Sequence, residues 1–331
     1  MTLPSTTHPG DVPVGSPPEP SRARGLSRKG ALPKRTGSLS ARRRRRVVGA
    51  VVMLTPAALL ALVFFAAPVA LVFVRSFSSA PLIGDGRFVG LDNYRRLLDD
   101  HSFRRALVFG LEFTALATLL VLPGAYALGV LVRRGRRFVG FFRGVYLVPF
   151  VIGLSTLSYM ALLEFRPGYG SVNQLLAALG LSNGETAWLL SPGLALCAAT
   201  LVTAWAAVGF GMVLFMTAMQ SVPDELLEAA RVDGASWWQR ERLVILPMIK
   251  RTLALVSVTT VAGNLLAFSQ FYILTQGGPG TSTATPVIIA YKTAIQQFRL
   301  GYASAMSIVL LVIIAVLSAA QLALLRGGRD A

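Results

Sequence analysis

Glu228-Ala229-Ala230-Arg231-Val232-Asp233-Gly234-Ala235-Ser236-Trp237-Trp238, continuing to Ile245-Leu246-Pro247, is a charged island between two long apolar runs. It reads as a loop between membrane helices that has helical structure of its own. Ser221-Val222-Pro223-Asp224 fits a capping box, with Ser221 as N-cap and Asp224 three residues on. Asp224, Glu225 and Glu228 bring negative charge to the positive end of the helix dipole. That helix is expected to run to about Val232, and Gly234 supplies the left-handed residue that ends it. Ser236-Trp237-Trp238-Gln239 forms a second capping box and opens a second short helix. Pro247 interrupts helix continuation and marks the bend into the next apolar run. Ala229 and Ala230 are small enough for a partner surface to come close, and Glu228 can pair with a basic group there or hold the loop by a hydrogen bond. The other reading is an amphipathic helix lying in the membrane interface, which the paired tryptophans would suit.

The rest of the chain explains why such an island needs a membrane around it. Of 331 residues, 54% are hydrophobic and only 14% charged, against about 25% charged in a soluble domain. The charges are clustered, leaving apolar stretches that are almost charge-free, the pattern of an all-α polytopic membrane protein. The net charge of +17 does not indicate nucleic acid, because the basic residues stand at the ends of apolar runs, where they orient helices. Cys197 is the single cysteine, and His8 and His101 are the two histidines, far apart. No disulfide, metal site or nucleophile–base pair can be assembled from them, so neither an enzyme nor a bound metal is expected. The chain also lacks a G-x-x-x-x-G-K-[ST] phosphate loop and any soluble segment large enough for a nucleotide-binding domain. It should therefore hold no cofactor of its own.

Six spans are expected, over 47–74, 107–132, 144–163, 194–218, 252–274 and 302–325, each near or above the roughly 20 residues that cross about 30 Å of hydrocarbon. The first is too long and too far from residue 1 to be a signal peptide. With both termini in the cytoplasm, 23 of the 32 Lys and Arg residues lie inside: 11 before residue 47, 5 in 133–143, 5 in 220–251 and 2 at the C-terminal end. The opposite orientation violates the positive-inside rule. The chain thus divides into a basic cytoplasmic tail (1–46), a membrane part (47–326) with its cytoplasmic loop (220–251), and a short tail (327–331). Residues 1–40, rich in Pro, Gly, Ser, Thr and Arg, are expected to be disordered. The run Arg42–Arg46 is expected to meet anionic lipid headgroups.

The opening stretch resembles the EAA loop of the integral-membrane subunits of bacterial ABC importers. The likeness rests on Glu228-Ala229-Ala230, on Gly234 four residues after the last Ala, and on Leu246-Pro247 downstream. It extends over roughly residues 50–325. Phe88-Val89-Gly90-Leu91-Asp92-Asn93-Tyr94 resembles the F-x-G-L-x-N-Y segment of carbohydrate-type permeases. Here it implies a turn at Gly90, a short helix capped by Asp92, and packing on the outer face. Tyr146-Leu147-Val148-Pro149, Gly170-Ser171-Val172-Asn173 followed by Trp188-Leu189, Thr275-Gln276-Gly277-Gly278-Pro279 and Gly301-Tyr302-Ala303-Ser304-Ala305 resemble further segments of that subfamily. One departure is Phe268-Ser269, where relatives often carry Phe-Asp.

The resemblance implies a type I ABC importer permease fold. It implies a complex of two permease subunits, the second a related chain, with a dimer of ATP-binding subunits that hold the nucleotide and an extracytoplasmic solute-binding protein. The cargo would be sugars, related polyols or sugar phosphates. Glu228, Ala229, Ala230, Asp233 and Gly234 would then transmit force to and from the ATPase and do no chemistry.

A polar residue inside a span is costly and so marks a pathway, and sugar sites add aromatic faces. Trp205, Asn264, Ser269, Gln270 and Tyr272 are the candidates for the substrate pathway, with Phe210, Phe268 and Phe271 beside them. Interhelical hydrogen bonds and plain packing are the competing readings. Glu112 is expected at the outer interface, wetted or paired with Arg104 or Arg105, and Gly209 and Gly211 are expected to let helices approach closely. Two other functions remain open here. An ion-coupled secondary transporter would need ionisable residues at mid-span, and none stands out; a membrane scaffold docking a cytoplasmic partner would not need the polar fifth span.

Overall fold

The computed structural model describes residues 37–81, 83, 84, 86–134 and 139–326, and for 37–47, 134, 325 and 326 the backbone alone. The expected disordered tail lies outside these residues as far as 36. Helix α1, Gly37–Ala61, takes in Arg42–Arg46 and begins ten residues before the expected span at 47. Arginine is a strong helix former, so the apolar helix extends back through the arginine run. The chain divides into two compact units, Met1–Ala61 and Leu62–Ala331; α1 is the described part of the first.

The second unit opens with a π-helical stretch, Leu62–Ala66, and α2, Ala67–Ser76. A short helix, α3 (Asp92–Asp99), leads into the long α4 (His101–Arg134). Next come α5 (Val139–Ile152), α6 (Leu154–Glu164), α7 (Ser171–Ala178) and α8 (Pro192–Gln220). The loop holds α9 (Asp224–Val232), α10 (Trp237–Arg240) and α11 (Leu246–Met248). The chain then runs through α12 (Lys250–Leu265), α13 (Ser269–Leu274), α14 (Pro286–Tyr291) and α15 (Leu300–Arg326). Among the described residues the one sheet-like contact is an isolated bridge between Ser78 and Phe88.

Among the described residues five stretches are long and apolar enough to cross a membrane: Val48–Ser76, His101–Arg133, Pro192–Gln220, Lys250–Leu274 and Leu300–Leu324. The sixth exists only if α5 and α6 are counted as one, and they are bent by 91°. The expected third span, 144–163, falls on this bent pair. Gly153 takes φ +88° with ψ 147°, a conformation reserved for glycine, and stops α5. Pro149, one turn earlier, has no N–H to give the preceding turn. The expected fifth span is also in two pieces, α12 and α13, separated at 266–268. The Ala267 carbonyl freed by that break accepts a 2.6 Å hydrogen bond from the Thr285 hydroxyl, which keeps the opened backbone satisfied in an apolar setting.

The core is packed around α4, α8 and α13. Phe271 sits edge-on to Phe113 and Phe109, with centroids 4.8 and 5.1 Å away. Glycines on α8 and α4 bring the helices close, as expected of Gly209 and Gly211. A Cβ at Gly209 would fall on the Tyr146 carbonyl of α5, and one at Gly211 would come 2.8 Å from the Ala125 methyl of α4.

At the end of the bundle opposite the loop, the sequence motifs turn out to be fasteners. Gly90 (φ +57°) makes the expected turn, but α3 starts one residue earlier than read: Leu91 is the N-cap and Asp92 lies in the first turn. Buried Asn93 donates through Nδ2 to the Ser76 and Ser78 carbonyls, both at 2.8 Å, closing the C-terminus of α2. The Tyr94 hydroxyl meets Ser76 Oγ at 2.7 Å. Asn173 is likewise buried; it donates to the Arg166 and Thr186 carbonyls and accepts from the Trp188 indole at 2.9 Å. The α15 start is tied back twice. Gly301 N–H donates to the Ala80 carbonyl at 2.9 Å, and the Tyr302 hydroxyl donates to Asp100 Oδ2 at 2.8 Å. Asn93→Ala leaves two buried carbonyls without their donor. It is expected to lower stability in detergent by about 1–3 kcal/mol, read as a drop in the thermal unfolding midpoint with substrate uptake reduced only in proportion to folded protein.

Candidate functional site

The loop holds its shape without help from other chains. Ser221 is not the N-cap of α9, as its capping box suggested. Helix α8 runs on to Gln220, so Ser221 closes that helix, its hydroxyl donating to the Ala218 carbonyl at 2.7 Å. Pro223 takes the N-cap position of α9 with no side-chain cap, and Asp224 and Glu225 favour the dipole. At the other end Gly234 adopts φ +75°. Its N–H donates to the Arg231 carbonyl at 3.0 Å and the Ala235 N–H to the Ala230 carbonyl at 2.9 Å. These two bonds define a Schellman ending. Two residues later the Ser236 capping box is complete: Gln239 N–H donates to Ser236 Oγ, and Ser236 N–H donates to Gln239 Oε1 at 2.7 Å. A π-helical turn, Glu241–Ile245, and α11 around Pro247 follow, and the helix breaks at Ile249 before α12.

Val222, Ile245 and Ile249 anchor the loop beneath Phe215 and Met219, with Leu227 packed against them. Helix α9 itself has no buried residue. Glu228, Ala229, Asp233 and Gly234 are exposed and Ala230 half-buried. Among the described residues the Glu228 carboxylate has no hydrogen bond or ion pair. Nothing lies within 4 Å of a Cβ placed at Gly234, so this position demands glycine for its backbone angle and not for space. Val232 is 88% exposed and Leu243 70%, an apolar display on a polar loop.

A cavity of about 480 Å³ opens between α5, α8, α12 and α13. Asn264, Ser269 and Gln270 line it, with Thr203, Phe210 and Phe150. The broken fifth span places the three predicted residues together, because the gap at 266–268 turns the start of α13 toward α8. Gln270 is 2% exposed and Thr203 5%, yet neither Gln270 Oε1 nor Thr203 Oγ1 has a hydrogen-bond partner among the described residues. Phe150 and Phe210 stack at 4.7 Å with their planes 9° apart, forming an aromatic wall. Two predicted residues fall elsewhere. Trp205 is 56% exposed on the outer side of α8, and Tyr272 stands behind the lining, stacked on Phe268 at 4.9 Å. Neither lines this cavity. Thr203 was missed; a hydroxyl within the α8 run was its one signal.

Two charged features complete the picture. Glu112 makes no ion pair with Arg104 or Arg105 among the described residues, although all three border one shallow depression with Thr281 and Ser282. Glu241, read only as part of the charged loop, is 3% exposed and faces Tyr126 and Arg133 of α4.

The sequence profile of the family described as "Binding-protein-dependent transport system inner membrane component" matches residues 121–329. Over 78% of its length the chain is 32% identical to a probable ABC transporter permease protein, YurN of Bacillus subtilis, covering 89% of that protein. It is 33% identical to the multiple sugar-binding transport system permease protein MsmF of Streptococcus mutans, over 72% of this chain and 81% of that one. It is 30% identical to the trehalose transport system permease protein SugA of Mycobacterium tuberculosis, over 87% and 91%. In three dimensions it superposes, with a TM-score of 0.76 and 21% identity, on a chain of a bacterial ABC transporter involved in import of the acidic polysaccharide alginate. That match covers 88% of this chain and all of the other.

Proposed function

The chain belongs to the family of binding-protein-dependent transport system inner membrane components, and from that premise we propose that it forms half of the pathway of an ATP-driven importer of sugars, related polyols or sugar phosphates. It is a permease subunit of the cell membrane. Its partners are a separate ATPase, a second permease and a solute-binding protein on the outer face. The observation that carries this reading is the preformed loop of α9 and α10, closed by a Schellman ending at Gly234 and a capping box at Ser236, yet burying no residue of α9. A surface that rigid and that bare suits docking, since little ordering cost remains to be met. With the N-terminus inside, the loop faces the cytoplasm, where ATP is. The ion-coupled and scaffold alternatives lose ground to family membership.

The substrate class is supported by relatives named for sugars and sugar derivatives and by the chemistry of the cavity. Gln270 Oε1 and Thr203 Oγ1 are buried acceptors awaiting donors, and a sugar brings hydroxyl donors. The stacked Phe150 and Phe210 rings offer a face for the apolar side of a pyranose. A Gln270→Leu exchange tests this. The variant should fold as well as wild type or better, since it removes a buried unpaired oxygen. Its KM for uptake in proteoliposomes holding the whole transporter should rise about tenfold, the worth of one hydrogen bond to substrate. An unchanged KM would remove Gln270 from the pathway. ATP-independent uptake by the chain alone would overturn the importer reading itself.

A further inference from the structure

Glu241 lies beyond both the docking face and the cavity, in a place where a charge is costly. It opens the π-helical turn that follows the second loop helix, and its side chain is 4% exposed. The Tyr126 hydroxyl donates to Glu241 Oε2 at 2.9 Å. The Arg133 guanidinium reaches Oε1 through Nη2 at 3.4 Å, a single long contact. The other guanidinium nitrogen, Nη1, is buried and has no partner among the described residues. Tyr126 and Arg133 are seven residues apart on α4, two helical turns, and so share one face. Around them, Tyr126 sits edge-on to Phe215 of α8 at 5.8 Å, and Ile245, one turn past Glu241, is 1% exposed in the same cluster.

Stability alone is a poor reason for this arrangement, because a buried ion pair is often no better than well-packed apolar residues, although removing one partner is expensive. A buried pair does fix a register between two elements. It also has a second discrete geometry at hand, the bidentate fork in which Nη1 and Nη2 both engage the carboxylate. A short slide of Glu241 along α4 converts one into the other, and elements with two discrete arrangements are what carry coupling between distant sites. Helix α9 buries no residue and meets the bundle through the half-buried Leu227, an apolar contact that fixes no register. Glu241 is the buried polar anchor that follows the loop helices, and α4 borders the cavity through Val121.

We propose that Glu241, held by Tyr126 and Arg133, is the positioning residue that passes displacement of the docking loop to α4 and thereby to the cavity wall. This rests on the docking reading above. The test uses the complete transporter in nanodiscs, with Cys197→Ser removing the single native thiol and spin labels at exposed Leu119 on α4 and exposed Leu311 on α15. The distance is measured without nucleotide and after trapping with ATP and vanadate. In the wild-type background the label distance is expected to shift on trapping. In E241Q, which keeps the shape and loses the charge, the ATPase stays bound and the shift is lost. In the swapped pair E241R with R133E the shift returns. A shift of wild-type size in E241Q overturns the inference, as does a wild-type background in which α4 does not move. Failure of both E241Q and the swapped pair to accumulate would make the cluster a folding element and overturn it too. Absence of ATPase from the wild-type complex is a different failure, that of the docking reading.

Discussion

A chain carrying Glu228→Ala together with Gly234→Pro is expected to reach the membrane at normal levels, to lose its ATPase during purification in mild detergent, and to take up no substrate. The two changes act differently. Glu228 has no hydrogen bond or ion pair among the described residues, so its removal leaves none of them unpaired and is felt by whatever docks there. Gly234 holds φ +75° and donates to the Arg231 carbonyl. Proline is locked near −65° and has no N–H, so the Schellman ending unravels and α10 swings away from α9. Because α9 contributes no buried residue, the damage stays in the loop. Loss of a central docking contact is worth about 2–4 kcal/mol, or roughly 30- to 1,000-fold in ATPase affinity, enough to strip the subunit at working concentrations. Co-purification followed by peptide identification reads this directly. An ATPase retained by the variant would mean that other surfaces hold it and would reopen the scaffold reading.

The second large effect is on the fold. Gly209→Leu is expected to leave almost no folded protein in the membrane, whereas Gly211→Ala accumulates and melts at a lower temperature. At Gly209 the first side-chain carbon would land on the Tyr146 backbone carbonyl of α5. A backbone atom in a helix cannot step aside alone, so α5 must retreat from α8 along its whole length. The cost lies above the 1–3 kcal/mol of ordinary overpacking, against a total stability of about 5–15 kcal/mol. At Gly211 the obstacle is the Ala125 methyl at 2.8 Å; it rides on the α4 backbone, so the two helices must part there, but less than at Gly209, where the new carbon would land on a backbone oxygen. Fluorescence-detected size exclusion of tagged variants separates the two cases. Equal yields for both would show that α8 and α5 are not held at backbone contact.

How far the sequence could be read follows from how local each signal is. Hydropathy runs and charge clusters are local, and they located the long helices well. The bend at Gly153 was hidden because an apolar run looks the same with or without a left-handed glycine inside it; α5 and α6 reveal it only as a pair. The gap at 266–268 was hidden because the residue that stabilises it, Thr285, is eighteen positions further on. Ser221 illustrates two local rules in competition: the capping box was present, but the helix before it ran long enough to claim the serine. Asn264, Ser269 and Gln270 could be picked out because a polar group in a span needs a reason. Trp205 could not be placed, because α8 is apolar on every side and gives an aromatic residue no face to prefer, and Tyr272 could not, because its stacking on Phe268 depends on the gap at 266–268. Glu241 was illegible for a further reason. Its meaning depends on Tyr126, more than a hundred residues away, and nothing around it in sequence separates it from the wetted charges of the loop.

The fastening of α15 to residues 78–80 has a consequence for how the chain is made. The Ala80 carbonyl waits for the Gly301 N–H, and the Ser78 carbonyl lies where only a glycine lets α15 seat against it. At about 5–20 residues per second, a ribosome delivers the second partner on the order of 10–40 s after the first. Asn93 and Tyr94 fasten the end of α2 soon after it is made, but its contact with α15 stays open throughout that interval, and a chain stalled before residue 301 cannot make it. The joint therefore works as a completeness check.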